Sequence, residues 1–275
     1  MDKTADQTII RDKAILVVSF GTTDPETRRL NIGAVEDAIS QAAGDDYIVR
    51  RCFTSQMIIN IIAKKEGVAI DNIREALERA VSDGVRNLTV QPTHLMKGLE
   101  YDKLCGILAE YAGSFEKVSI GDPLLTSDED FSRVADALIE ASAGYEDGET
   151  ALVFMGHGTE AAANGIYEKM QQVFTGKGKG DYYVGTVEAE PSLDDVIEAV
   201  NAGSYSRVVL RPLMLVAGNH AVNDMASADD PDSWYSRFIA AGYETICIIE
   251  GLGQIPAVRD IYAGHALNAI ASADL

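Results

Sequence analysis

Apolar positions along this chain fall into two patterns. Short unbroken runs are bounded by glycine and polar residues, and between them lie longer stretches in which apolar residues return every three or four positions. Ala14 to Phe20 (AILVVSF) is a run of the first kind and predicts a strand covered on both faces, ending at Gly21-Thr22-Thr23. Asp24-Pro25-Glu26 then opens a helix, with aspartate suited to the cap and proline to the first helical position. Tyr47 to Phe53 predicts a second strand, Val85 to Gln91 a third and Lys117 to Asp122 a short fourth. Asp71 to Asp83 predicts a helix, because Ile73, Ala76, Leu77, Ala80 and Val81 share one face. Ser127 caps another helix, whose stripe is Phe131, Val134, Ala135, Leu138 and Ile139.

The polar stretch Gly144 to Glu149 predicts a linker, after which the order of elements starts again. Ala151 to Met155, Tyr182 to Val187, Val208 to Leu213 and Thr245 to Glu250 predict four more strands. Ser192 to Asp195 is an S-x-x-D capping box opening a helix through Val200, and Ile255 to Ala273 predicts a closing helix. Some letters repeat between the halves. Phe20-Gly21-Thr22 aligns with His157-Gly158-Thr159, and Pro92 to Gly98 with Pro212 to Gly218, which sets Glu100 opposite His220. The expected fold class is α/β: two similar doubly wound domains, 1–145 and 146–275, each with a four-stranded parallel sheet flanked by helices. The last helix is expected to pack back on the first half, and the cleft between the halves is the default place for a binding site.

Composition narrows the function classes. With 47% hydrophobic residues in 275 the chain can bury sizeable cores, and no stretch approaches the roughly 20 apolar residues of a membrane span. The opening MDKTADQTIIRDKAILVV lacks a signal-peptide core, so the expectation is a cytoplasmic protein with no membrane partner. Cys52, Cys105 and Cys247 are widely spaced and suggest neither a disulfide framework nor a thiolate metal site. A formal net charge of −20 argues against nucleic acid. It also requires that any acidic substrate be met by a local cationic pocket. Arg28, Arg29, Lys97 and Arg211 lie close to predicted strand ends and are candidates, with ordinary solvated surface cations as the bland alternative.

Three predicted strand ends of the second half carry His157, Glu188 and His220. Each follows an apolar run, so all three are expected at the carboxyl edge of one sheet, where α/β folds bind ligands. Two imidazoles and a carboxylate suit Co²⁺, Ni²⁺, Fe²⁺ or Zn²⁺ and leave coordination positions open for a substrate. Taken singly, each residue also has a packing explanation: a hydrogen-bonded histidine after a strand, or a glutamate at the start of a helix. Glu190 and Glu160 are rivals for the carboxylate role. His94, from the first half, is a further candidate facing the cleft, and His265 in the closing helix reads as structural.

The segments ILVVSFGTT (15–23), PTHLMKGLEYDKL (92–104), VFMGHGTE (153–160), GTVEAEPS (185–192) and PLMLVAGNHAVNDMAS (212–227) resemble the anaerobic cobalt chelatases of the CbiK type, class II tetrapyrrole chelatases related in fold to ferrochelatase. The resemblance runs from about Ala14 to Ile270, and its most specific motif is G-N-H-A-V-N-D-M. It implies insertion of Co²⁺ into sirohydrochlorin or precorrin-2 on the anaerobic route to cobalamin, without a nucleotide and with self-association of the chain. Matched motif by motif, His157, Glu188 and His220 take the family's metal-binding positions. The eight carboxylates of sirohydrochlorin return to the cationic pocket, for which Lys97, Arg28 and Arg211 are the residues carried forward. The alternatives kept open are a chelatase working with Fe²⁺ or Ni²⁺, a carrier of metal or tetrapyrrole that does not catalyse, and a binding-protein-like α/β module.

Overall fold

A computed structural model describes residues 12–273; the opening residues 1–11, part of the segment assessed for a leader, lie outside the described residues. In the first half, β1 (Lys13–Ser19) is followed by α1 (Pro25–Thr27) and α2 (Ala34–Ala43), β2 (Ile48–Phe53), α3 (Gln56–Glu66) and α4 (Ile73–Ser82). β3 (Asn87–Pro92), α5 (Leu99–Tyr111), β4 (Lys117–Ile120) and α6 (Asp128–Ser142) complete it. The second half contains β5 (Thr150–Gly156), α7 (Gly165–Gly176), β6 (Tyr182–Thr186), α8 (Leu193–Asn201), β7 (Arg207–Pro212), α9 (Trp234–Ala240), β8 (Glu244–Cys247) and α10 (Pro256–Ala273). Their strands form two separate four-stranded parallel sheets, ordered β2-β1-β3-β4 and β6-β5-β7-β8. The central strands β1 and β5 are buried almost throughout, as their unbroken apolar runs require.

Duplication, weak in the letters, is plain in the backbone. Glu188 N–H donates to His157 O (2.9 Å), and Ser55 N–H to Phe20 O (3.3 Å). Leu252 N–H donates to Met214 O (2.9 Å), and Leu124 N–H to His94 O (3.0 Å). The same bonds thus recur at corresponding strand ends. They make Phe20 and Ser55 the first-half counterparts of His157 and Glu188.

The two halves share one core. Ile15 and Val17 of β1, Leu152 and Phe154 of β5, and Val258, Ile261 and Tyr262 of α10 belong to a single buried cluster. Two further clusters cover the opposite faces of the two sheets. α10 follows the second half in sequence but packs on α2, α6, β3 and β4 of the first. The Tyr262 hydroxyl donates to Thr93 O (2.8 Å), and His265 bonds Asp122 O and Asp130, at 3.0 and 2.9 Å. His265 is therefore structural, as its place in the helix implied.

Three features differ from the sequence expectation. The helix opened by Asp24 contains a π-helical segment, Arg28–Gly33, between α1 and α2. β8 ends at Cys247 instead of Glu250, because its ladder with β7 stops at the Leu210–Cys247 pair. α3, α5, α7 and α9 lie outside the sequence expectation because none carries a clean apolar stripe, although Ser55 caps α3 and Ser233 caps α9. In α3, for instance, Met57, Ile58, Ile59, Ile61 and Ile62 spread round the helix, and β-branched residues carry little helical signal.

Candidate metal centre

His157 directly follows β5, on a loop shaped by two glycines. A Cβ at Gly156 would lie 2.1 Å from the ring of Tyr167, a fully buried side chain packed against that point. Gly158 has φ +88°, and a Cβ there would come within 2.8 Å of Ala189 N. Only glycine meets both demands, a left-handed backbone and close approach of the loop after β6. That approach brings Glu188 to His157. Asn164 ties the same two loops together, accepting from Thr159 N–H (3.0 Å) and donating to Glu190 O (2.6 Å). Tyr167 O accepts from Gly158 N–H (3.2 Å). Asn164 and Tyr167 were not singled out in the sequence; neither sits in a chemical motif, and only the fold reveals their contacts.

His220 arrives from β7 through a loop and opens a single π-helical turn, His220–Met225, anchored by buried Ala221 and Met225. Such turns are rare and often mark functional positions. The rings of His157 and His220 lie edge to face with centroids 4.5 Å apart. One donor atom each from His157, Glu188 and His220 falls within 4.8 Å of the others. A point in the plane of three such atoms lies within about 2.8 Å of all of them, so closing to the ~2.1 Å of a metal–nitrogen bond needs well under 1 Å of movement per side chain. The three side chains are 45%, 55% and 37% exposed, which keeps the remaining coordination positions open.

The imidazoles are held differently. His157 Nδ1 lies 3.0 Å from Gly158 O and 3.5 Å from a Glu188 oxygen. His220 Nδ1 lies 2.6 Å from a carboxylate oxygen of Asp224. Of the rival acids, Glu160 is exposed and stands outside the cluster. Glu190 is turned toward the start of α8, where it accepts from Ser192 N–H (3.0 Å); its contact with Asp195 holds its carboxyl above the ordinary range.

The four cations and His94 are placed as follows. Arg28 and Arg211 are both buried and turned inward. Arg28 donates to Thr22 O and Glu66, and Arg211 to Ala141 O and Glu250. A side chain so engaged has no free fork to offer a solvent-borne carboxylate. Arg29 pairs with Glu26 on the exposed surface. Lys97 is half exposed, 2.7 Å from Asp122 and over the ring of Tyr101. Both ring nitrogens of His94 are shielded from solvent and meet no hydrogen-bond partner among the described residues; burial lowers its pKa, against the pull of Glu100. Two surface cavities are prominent. One of about 690 Å³ lies along β2 and includes Arg28, Arg50, Arg51 and Arg79, each of which pairs with a carboxylate. The other, about 330 Å³, includes Asp224, Thr186, Val187 and Trp234 and so adjoins the candidate cluster.

The sequence profile of the cobalt chelatase (CbiK) family matches residues 13–271. A sirohydrochlorin cobaltochelatase of Salmonella typhimurium is 36% identical over 258 residues, covering 94% of this chain and 96% of its own. The sirohydrochlorin cobaltochelatase CbiKC of Nitratidesulfovibrio vulgaris is 29% identical over 267 residues, with coverage of 95% and 92%. Among solved structures, SirB from Bacillus subtilis with Fe³⁺ superposes with a TM-score of 0.62 at 14% identity, covering 95% of this chain and 97% of its own. CbiX, the terminal enzyme of sirohaem biosynthesis in denitrifying bacteria, gives 0.55 at 17% identity, with coverage of 94% and 99%. At these identities the two structures speak for the fold, and the two cobaltochelatases for the family.

Proposed function

The chain belongs to the cobalt chelatase (CbiK) family, and we propose that it inserts Co²⁺ into sirohydrochlorin, or its precursor precorrin-2, without a nucleotide. The observation that carries this reading is the convergence of His157, Glu188 and His220, whose donor atoms lie within 4.8 Å of one another. The overall reaction exchanges one divalent ion for two pyrrole N–H protons, so the protein must hold an ion, release it and accept protons. Nitrogen and oxygen donors bind Co²⁺ well without the tight hold of thiolates, which suits a site that must let its ion go. None of the three cysteines belongs to this cluster; Cys52 is buried, and burial pushes its thiol pKa up.

In this reading His220 and Glu188 hold the ion, and His157 binds it and takes the first proton, as an imidazole near neutral pH can. Glu188, half exposed and 3.5 Å from His157 Nδ1, passes that proton toward solvent. The substrate's carboxylates need a cation within a negative protein, and Lys97 is the expected cation that an external group can reach. Burial favours the neutral form of His94, and its ring nitrogens are shielded from solvent, so it is set aside as a substrate contact. No helix among the described residues is long and apolar enough to cross a membrane. We place the reaction in the cytoplasm, carried out by a self-associated chain.

The test is the anaerobic absorption spectrum of sirohydrochlorin with Co²⁺ and no nucleotide, run with wild type and His157→Ala. Wild type should speed the metallated spectrum, and the variant should return it to the uncatalysed rate. A variant as fast as wild type would remove His157 from the mechanism. Binding of the tetrapyrrole without metallation by Co²⁺, Fe²⁺ or Ni²⁺ would make the protein a carrier.

A further inference from the structure

His220 Nδ1 stands 2.6 Å from Asp224, four residues on in the same π-helical turn. An imidazole nitrogen this close to a carboxylate oxygen carries the proton, because two lone pairs would repel. The other ring nitrogen, Nε2, is then left with its lone pair for a metal. His157 is held differently: its Nδ1 bonds the neutral carbonyl of Gly158 at 3.0 Å, and the nearest carboxylate oxygen, of Glu188, stands farther off at 3.5 Å. A carboxylate makes the opposite nitrogen a stronger donor than a carbonyl does, and fixes the tautomer and ring orientation. The two metal-facing histidines are thus made unequal by their surroundings.

We propose that Asp224 is a positioning residue that sets Co²⁺ affinity through His220. It locks the Nδ1–H tautomer, presents Nε2 to the ion and makes His220 the anchoring ligand. His157, whose Nδ1 is bonded by a neutral carbonyl and only approached by Glu188, is left as the ligand that lets go and accepts a proton. The proposal rests on the metal-site reading above, but it concerns binding and can be judged without turnover. Asp224 is itself 41% exposed and lines the cavity beside the cluster, so it can be replaced without opening the core. The sequence signal is H-x-x-x-D within GNHAVND: four residues place the carboxylate on the histidine's own side of the turn.

The experiment compares wild type with Asp224→Asn, Asp224→Ala and Asp224→Glu, using Co²⁺ alone as the probe. Three readouts are followed: the dissociation constant for Co²⁺, the visible d–d absorption of the bound ion, and the His220 tautomer from long-range ¹H–¹⁵N spectra of the metal-free protein. Loss of the carboxylate should weaken Co²⁺ binding about 10- to 100-fold, shift the d–d bands and move His220 toward the Nε2–H form. Asp224→Glu should restore part of the affinity, and tetrapyrrole binding should not change in any of the three. Unchanged affinity and bands in both Asp224→Asn and Asp224→Ala would overturn the proposal, as would an unchanged tautomer. The Asn variant, nearly the same in shape, covers the case in which Ala does not fold. If wild type binds Co²⁺ through His220 and Asp224 yet fails to metallate sirohydrochlorin, the proposed function falls and the role of Asp224 stands.

Discussion

Replacing Glu188 by glutamine removes one negative charge from the metal cluster while keeping the side chain's length and one oxygen donor. The loss can be estimated from the geometry. With the three donor atoms within 4.8 Å of one another, an ion at their centre lies about 2.8 Å from the carboxylate. At that distance a divalent cation and a single negative charge attract by about 3 kcal/mol, even with the full dielectric constant of water. Glu188 and His157 are about half exposed, so the water value is the right floor. Three kcal/mol is about two decades in affinity. The single tryptophan, Trp234, lines the cavity that adjoins the cluster, so quenching of its fluorescence by Co²⁺ reports binding without a tetrapyrrole. The expected result is a dissociation constant raised about 100-fold in Glu188→Gln and little changed in Glu190→Gln, whose carboxylate is spent on Ser192 and Asp195. A Glu188→Gln constant within about threefold of wild type, or an equal loss in Glu190→Gln, would refute the assignment of the carboxylate.

Two other expectations follow from the same contacts. At Asp130, burial works to raise the carboxyl pKa, but the Ser127 backbone and hydroxyl and His265 together outweigh it and hold the group below the usual carboxylate value. A lowered folded pKa gives stability that is present above about pH 4, the unfolded value, and is lost as pH falls through the folded one. Asp130→Asn should therefore be less stable than wild type by about 1–2 kcal/mol at pH 7, with the gap closing toward pH 3, as read by urea denaturation; a gap independent of pH would sink the account. Lys97→Glu replaces an exposed attraction for the substrate's carboxylates by a repulsion, and should raise the KM for sirohydrochlorin about tenfold with the Co²⁺ dissociation constant unchanged. Equal loss of both would remove Lys97 from the substrate site.

The strands and the duplicated plan were legible because buried parallel strands are written as unbroken apolar runs closed by glycine, and β1 and β5 obey that rule. The capping boxes at Ser127 and Ser192 were legible for a similar reason, since the signal and the contact lie within four residues. The convergence of His157, Glu188 and His220 could be read because each follows its own strand, and parallel strands deliver their ends to one edge. Arg28 and Arg211 could not be placed from proximity to strand ends, because their direction depends on Glu66, Ala141 and Glu250, 38 to 70 positions away. Asp224 was missed although it sits four residues from His220. A histidine–aspartate pair at that spacing is common on helix surfaces, and its meaning comes from where the imidazole points.

The first half is also incomplete without α10. Tyr262, fully buried, closes over Thr93, and His265 bonds Asp122 and Asp130, so the first sheet's core is finished by side chains from residues 256–273. A ribosome makes the first half early and α10 roughly 110 residues after the end of α6, seconds later at ordinary rates of synthesis. The first half must wait, with part of its apolar surface uncovered, until residues 256–273 have been made. The first half's core can therefore be completed only after the last helix has been made, so its closure comes late in synthesis.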